Sequence, residues 1–317
     1  MNALPHARLG GSELDVSRIA LGSWRTFERM PRDAAERLLA YALDRGIDFL
    51  DDARYDDETG RAPIPSGYSE VLFGELLRGT GAPRDTIKVS NKLWWEFWPA
   101  QDAVGELEGS LERMGLQRLD LLYSSTLPDD LPVAVAVQQI AAVLATGRIG
   151  AWAVVNWSAP ALAVAAQEAA RLGIPSPCAA QLPYSLAQLD WVESPAMSAA
   201  LTRCGASLVP SAVLAGGALS GKYAGPQAAT GRLSEELGDA RRQHPLRIGE
   251  MLVPLAAELG AEPATVATAF TLANPLTACT LIGATQPGQI DQALAAIELS
   301  EQLTAEQLQV LRSASTP

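Results

Sequence analysis

The chain has 317 residues, 48% of them hydrophobic, and a net charge of −12 at neutral pH. That length and apolar share suit one large α/β barrel with insertions and argue against disorder. The acidic balance argues against partners such as nucleic-acid phosphates or an anionic membrane surface. No apolar run has the length of a membrane span, and residues 1–10 lack the apolar core of a signal peptide, so a cytoplasmic protein is expected. Cys178, Cys204 and Cys279 stand far apart without CxxC spacing, which predicts reduced core thiols rather than a disulfide framework or a zinc site.

In chain order, short apolar runs alternate with longer stretches at helical spacing. Candidate strands are Arg18–Gly22, Phe49–Asp51, Ile87–Asn91, Leu119–Ser124, Ala151–Val155, Ala179–Leu182, Ser207–Ser211 and Cys279–Ile282. Their mostly continuous apolar character suits parallel strands covered on both faces. Between them, Arg32–Arg45, Gln101–Met114, Val133–Thr146, Ala159–Leu172 and Leu246–Leu259 carry apolar stripes at helical period. Gly46, Gly147, Gly173, Gly205 and Gly260 follow helices where left-handed caps are expected. Eight alternations over 1–317 without a composition break predict a single-domain (β/α)₈ TIM barrel. No GxGxxG turn follows an early strand, which weighs against a Rossmann fold.

Two long segments follow strands and therefore belong to the C-terminal face, where binding loops gather. Asp56–Gly67 is polar and rich in Pro and Gly. Leu214–Pro245 includes GRLSEELGDARRQHP, whose Arg241 and Arg242 are either phosphate-reaching or simply solvated charges. Polar residues also stand where apolar strands run out, in GIDFLDDARY, VSNKLWW, VVNWS and AQLPY. In a barrel those are the positions for chemistry.

These motifs resemble the aldo-keto reductase family. LGGSELDVSRIALGSW is similar to its N-terminal hairpin and first strand, GIDFLDDA to its GINFFDTA segment and SNKLW to its lysine motif. GRIGAWAVVNWS, AGGALSGKY and LIGATQPGQIDQAL follow in family order, so the likeness covers residues 8–312. It implies a barrel with an N-terminal β-hairpin, and an oxidoreductase acting on a carbonyl or secondary alcohol with NADP(H), or else NAD(H). It also implies a catalytic aspartate and lysine at Asp51 and Lys92. The lysine is expected to lower the pKa of a proton-donating tyrosine. Tyr55 takes that role at a spacing of four residues instead of five, and Tyr68, which abuts an SE pair, is the competitor.

The family's catalytic histidine is replaced. Its place in DLLYSS falls on Ser125, with Thr126 the alternative, and a hydroxyl there carries no positive charge. Asn156, Gln181 and Ser211 match cofactor-binding positions, as do Gly283, Ala284 and Gln289 of the C-terminal segment. Gln289 stands where an arginine usually grips the 2′-phosphate, so backbone amides near Gln286 are the remaining phosphate donors there. Trp24, Tyr68, Trp94, Trp95 and Trp98 are candidates for an aromatic substrate wall, some of them alternatively packing the barrel rim, and imply a bulky or planar substrate. With the histidine gone, two further readings stand beside carbonyl reduction. One is a non-redox dehydratase, lyase or isomerase; the other is a cofactor-binding, non-catalytic protein.

Overall fold

The computed structural model describes residues 4–225, 231, 233 and 236–315. It opens with an antiparallel hairpin, β1 (His6–Arg8) and β2 (Asp15–Ser17). Eight parallel strands follow: β3 (Ile19–Gly22), β4 (Phe49–Asp51), β5 (Lys88–Leu93), β6 (Leu119–Ser124), β7 (Ile149–Val155), β8 (Ala179–Pro183), β9 (Ser207–Ser211) and β10 (Thr280–Ile282). They lie in one sheet in the order β10-β3-β4-β5-β6-β7-β8-β9. The ring closes through the residues entering β10. Leu208 N–H donates to Leu276 C=O at 2.7 Å, and Ala278 N–H donates to Leu208 C=O at 3.1 Å. The Arg18 guanidinium donates to the carbonyls of Leu272, Thr277 and Ala278, tying that seam to β3.

The strands bury both faces, which is why they read as continuous apolar runs. Phe49, Leu121, Tyr123, Ala153, Val209 and Cys279 belong to the cluster that fills the barrel, with Leu9 and Val16 of the hairpin region joining it. Leu50, Val89, Leu122 and Val154 alternate with these and pack against the helical layer. Gly10 shows how tightly the hairpin seats. It adopts φ +50°, and a Cβ there would fall 2.3 Å from the Cys178 carbonyl oxygen. Cys178 and Cys279 are buried and Cys204 is half-buried, all as free thiols.

The helices are α1 (Arg32–Asp44), α2 (Tyr68–Gly79), α3 (Ala103–Met114), α4 (Val133–Ala145), α5 (Ala159–Leu172), α6 (Asp190–Glu193), α7 (Pro195–Cys204), α8 (Ala240–Glu258), α9 (Pro263–Leu272), α10 (Pro287–Gln302) and α11 (Ala305–Ala314). Four of the five striped segments become helices to within two residues. The fifth, α8, begins six residues before its predicted start at Leu246, because the Asp239 carboxylate caps Arg241 N–H and lets a polar first turn form. All five predicted cap glycines have positive φ. Within 214–245, residues 226–230, 232, 234 and 235 lie outside the described residues, and with them part of the segment expected to cover a cofactor.

Candidate active site

Asp51 ends β4, Lys92 lies near the end of β5, and adjacent parallel strands bring them together at the C-terminal mouth. Lys92 Nζ donates to Asp51 Oδ2 at 2.7 Å, with the two side chains 4% and 3% exposed. A buried ion pair needs further hydrogen bonds to offset its desolvation, and this one has them. Ser90 Oγ donates to Asp51 Oδ1 at 2.7 Å and Gln181 Nε2 to Asp51 Oδ2 at 3.3 Å. The Asp52 carbonyl accepts from Nζ at 3.1 Å. Behind the pair, Asn91 Oδ1 accepts from Lys92 N–H, and its amide donates to the fully buried Glu70, which also takes Arg113 Nε.

Tyr55 completes this cluster from the loop after β4. Its backbone N–H donates to Ser69 Oγ at 3.1 Å, and Ser69 in turn donates to the Ala53 carbonyl. That clamp at the start of α2 accommodates the shortened spacing from Asp51. Lys92 Nζ lies 5.9 Å from the centre of the Tyr55 ring. Tyr68 lines a shallow rim cleft together with Trp24, Arg25, Glu28, Tyr55 and Ser69.

The electrostatics differ from the family expectation. Burial, followed by the charges of Asp51, Asp52, Glu28 and Glu70, holds the Tyr55 phenol well above its ordinary pKa rather than below it. The Lys92 ammonium makes its hydrogen bonds to Asp51 and the Asp52 carbonyl. The phenol is therefore a neutral proton donor at physiological pH.

Ser125 follows β6 and is buried; its N–H donates to Leu93 C=O, and its own carbonyl accepts from Trp157 Nε1 at 2.7 Å. Thr126 is exposed. The aromatic run after Lys92 divides its labour. Glu106 of α3 accepts from the N–H groups of Trp94 and Trp95, fixing the loop where Trp95 takes φ 63°. Trp94 then stands edge-on to Tyr55 at 6.0 Å, and the Trp24 ring lies tilted 6.4 Å from Tyr55. Trp95 is turned into the core, donating to Ser124 Oγ at 3.0 Å, and Trp98 packs edge-on against it. Apolar packing beneath the loop thus takes these two away from the predicted substrate wall.

The β7–β10 side of the mouth is more open. Asn156, just past β7, is exposed at φ 60°. Ser211 ends β9 half-buried, Gly283 is exposed and Ala284 buried past β10. Gly216 and Gly217 both adopt positive φ in the turn after β9, a backbone arrangement suited to approach by a phosphate chain, and Lys222 follows. At the start of α10, Gln289 Oε1 accepts from Thr285 N–H at 2.7 Å and Gln286 N–H at 3.2 Å. The amides predicted to hold a phosphate are thus taken by Gln289 itself. Arg241 pairs with Asp239 and Arg242 with Glu236, as solvated charges would. The residues present fit a dinucleotide through Asn156, Gln181 and the 216–222 turn.

Sequence reasoning passed over Asp52, although a carboxylate doublet at a strand end was its visible signal. It also passed over Ser23, whose hydroxyl bonds the Asp52 carboxyl, and Tyr123, buried with its ring 5.8 Å from Lys92 Nζ. Asp52 Oδ2, Arg54 Nε, Ser66 Oγ, Trp94 Nε1 and Tyr123 OH are buried without hydrogen-bond partners. The first three lie in the loop after β4, Trp94 just after β5 and Tyr123 in β6. Arg25, Trp95, Asn156, Ala212 and Ala215 have positive φ, and all of them follow barrel strands. Orphaned polar atoms and non-glycine backbone strain concentrate at functional sites. Among the described residues, no cluster of His, Cys, Asp and Glu is arranged to hold a metal, and no helix is long and apolar enough to cross a membrane.

Comparison with known proteins agrees with this geometry. The chain is 30% identical over 317 residues to a probable voltage-gated potassium channel subunit beta of Oryza sativa subsp. japonica, covering 96% of this chain and 94% of that one. A protein of the same description from Arabidopsis thaliana is 28% identical over 315 residues, with 95% and 93% coverage. The model of the Aldo/keto reductase family matches residues 18–316, and the chain belongs to that family.

Proposed function

We propose that this barrel is an oxidoreductase of the cytoplasm that uses a nicotinamide dinucleotide, NADP(H) by family likeness, to interconvert a carbonyl and a secondary alcohol. The observation that carries this reading is the buried Asp51–Lys92 pair beside Tyr55. Nothing about a plain binding module calls for an ion pair with so many supporting hydrogen bonds at the mouth of a barrel. The cofactor, when bound, supplies or accepts the hydride. Asn156 and Gln181 would hold its carboxamide end, and the Gly216–Gly217 turn with Lys222 its phosphates.

The chain's own residues handle the proton. Tyr55, neutral because it is buried among carboxylates, gives its phenolic proton to the carbonyl oxygen during reduction. Lys92 then faces the phenolate and stabilises it. Ser125 offers at most a neutral hydrogen bond where a histidine would add charge-assisted polarisation, about 0.5–1.5 kcal/mol against roughly twice that. Reduction of simple aldehydes should therefore be slow. Substrates with a planar body gain from the walls formed by Trp24, Trp94 and Tyr68.

The second reading is a channel-associated subunit, favoured by the descriptions of the two plant relatives and by the absence of a charged donor at Ser125. One experiment separates the two. NADPH and NADH are titrated while tryptophan fluorescence is followed, and oxidation of the reduced cofactor is then measured with aromatic aldehydes and ketones. Binding followed by turnover supports the enzyme; binding without turnover across the panel supports the second reading; no binding overturns both.

A further inference from the structure

Asp52 is the carboxylate that the proposed chemistry leaves unused. It is fully buried; one oxygen is bonded to the Ser23 hydroxyl at the end of β3, and the other has no partner. Every cation near it is committed elsewhere. Lys92 of β5 pairs with Asp51, Arg113 of α3 with Glu70 of α2, and Arg54 of the following loop with Glu96. Asp51 and Glu70 are the buried acids close by; burial, then the Glu70 charge, pushes the Asp52 carboxyl up to about 8 against the opposing pull of Ser23, the Ala53 N–H and the Lys92 charge. At neutral pH it is an uncharged acid that can donate its proton.

The main chain of Asp52 links this acid to the reacting groups. Its N–H donates to Ser90 C=O, and its carbonyl is one of the two groups on which the Lys92 ammonium rests. We propose that Asp52 is a positioning residue for Lys92, its clasp on Ser23 holding in place the peptide carbonyl that receives the ammonium. This rests on the role given to Lys92 above. Ionising the carboxyl strengthens the Ser23 bond but leaves charge on the partnerless Oδ2 in a sealed space beside Glu70, which favours opening of this strand end to water. Opening frees the strand end that carries the Lys92 anchor and leads into Tyr55. The site therefore has an upper pH limit that belongs to neither Tyr55 nor Lys92.

The test compares wild type, Asp52→Asn and Ser23→Ala between about pH 6 and about pH 10, spanning the Asp52 titration. Two signals are read: tryptophan fluorescence of the free protein, reporting Trp24 and Trp94 beside Tyr55, and turnover of NADPH with an aromatic aldehyde. Wild type should show a one-proton fluorescence transition near pH 8 and an about tenfold loss of turnover from pH 7 to pH 9. Asp52→Asn, which cannot ionise, should lack both. Ser23→Ala should move the transition to higher pH, because the lost hydroxyl had favoured the charged form. If Asp52→Asn does not fold, Asp52→Thr makes the same comparison. A transition that persists in Asp52→Asn or Asp52→Thr, or a wild type without one, overturns the inference. A fluorescence transition without turnover at any pH would instead retire the enzymatic reading and leave the clasp standing.

Discussion

The two sides of the barrel mouth are built differently. On the β3–β6 side, Asp51, Lys92, Ser90, Asn91, Glu70 and Arg113 bond one another through buried contacts, and Tyr55 is clamped by Ser69. On the β7–β10 side, Asn156 is exposed, glycines shape the turn after β9, and Gln289 satisfies its own helix start. The contrast teaches where each group obtains its partners. The reacting side is organised before any ligand arrives, as electrostatic catalysis requires. The other side is more open, with Asn156 exposed past β7. Substitutions on the first side should therefore disturb fold and chemistry together, and on the second, binding alone.

The largest effects are expected at Lys92 and Tyr55. Tyr55→Phe should lower turnover by about 10²–10⁴-fold, the usual contribution of a positioned proton donor, while Tyr68→Phe should act mainly on substrate affinity. Lys92→Met should lower turnover comparably and also destabilise the fold by about 3–5 kcal/mol, because Asp51 stays buried without its cation. Adding Asp51→Asn should recover much of that stability and none of the turnover. Chemical denaturation beside cofactor oxidation rates checks both. A Lys92→Met protein of unchanged stability would mean the pair is not sealed as described.

Asp52 gives the same side a pH dependence of stability. Its carboxyl titrates near 3.8 when unfolded and at about 8 when folded. The folded state therefore holds an extra proton between those values. This group's contribution is fully present below about pH 4 and declines toward pH 8, by at most about 1.4 kcal/mol per pH unit. Denaturation midpoints across that window should flatten in Asp52→Asn. An unaltered slope would place the carboxyl in contact with water.

The sequence disclosed the parts of this picture that are periodic. Continuous apolar runs located eight strands because parallel strands are buried on both faces, and the glycines after helices marked real left-handed caps. Asp51 and Lys92 were legible because strand ends at one face of a barrel must converge. The direction of the Tyr55 shift was not legible, since it depends on how far the fold takes the phenol from water and which carboxylates it packs nearby. Nor was the fate of Trp95, because adjacent tryptophans look alike until the backbone turns one of them inward. Gln289 was read as a lost arginine; its side-chain bonds to Thr285 and Gln286 exist only in three dimensions.

A mid-sized effect is expected from restoring charge at the mouth. Ser125→His puts an imidazole on the reacting side, where a charge-assisted bond is worth about 1.5–3 kcal/mol. Reduction of simple aldehydes should rise by about tenfold or more, with cofactor affinity unchanged. If the variant folds, binds NADPH and gains nothing, the histidine's place is not aimed at the reacting oxygen, and non-redox chemistry becomes the better account of the Asp51–Lys92 pair.

The smallest effect tests the open side. Asn156 stands at φ 60°, so Asn156→Ala would mix side-chain loss with backbone strain, whereas glycine takes that conformation freely. Asn156→Gly therefore removes the carboxamide alone. With one or two hydrogen bonds to a bound nicotinamide lost, at about 0.5–1.5 kcal/mol each, NADPH should bind roughly 2–150-fold more weakly in a fluorescence titration. Stability should change by less than about 1 kcal/mol, since the exposed side chain supports no described hydrogen bond and glycine relieves the turn. The reverse outcome, a clear loss of stability with affinity intact, would mean that Asn156 serves the barrel and that the cofactor end of the site lies elsewhere along the β7–β10 rim.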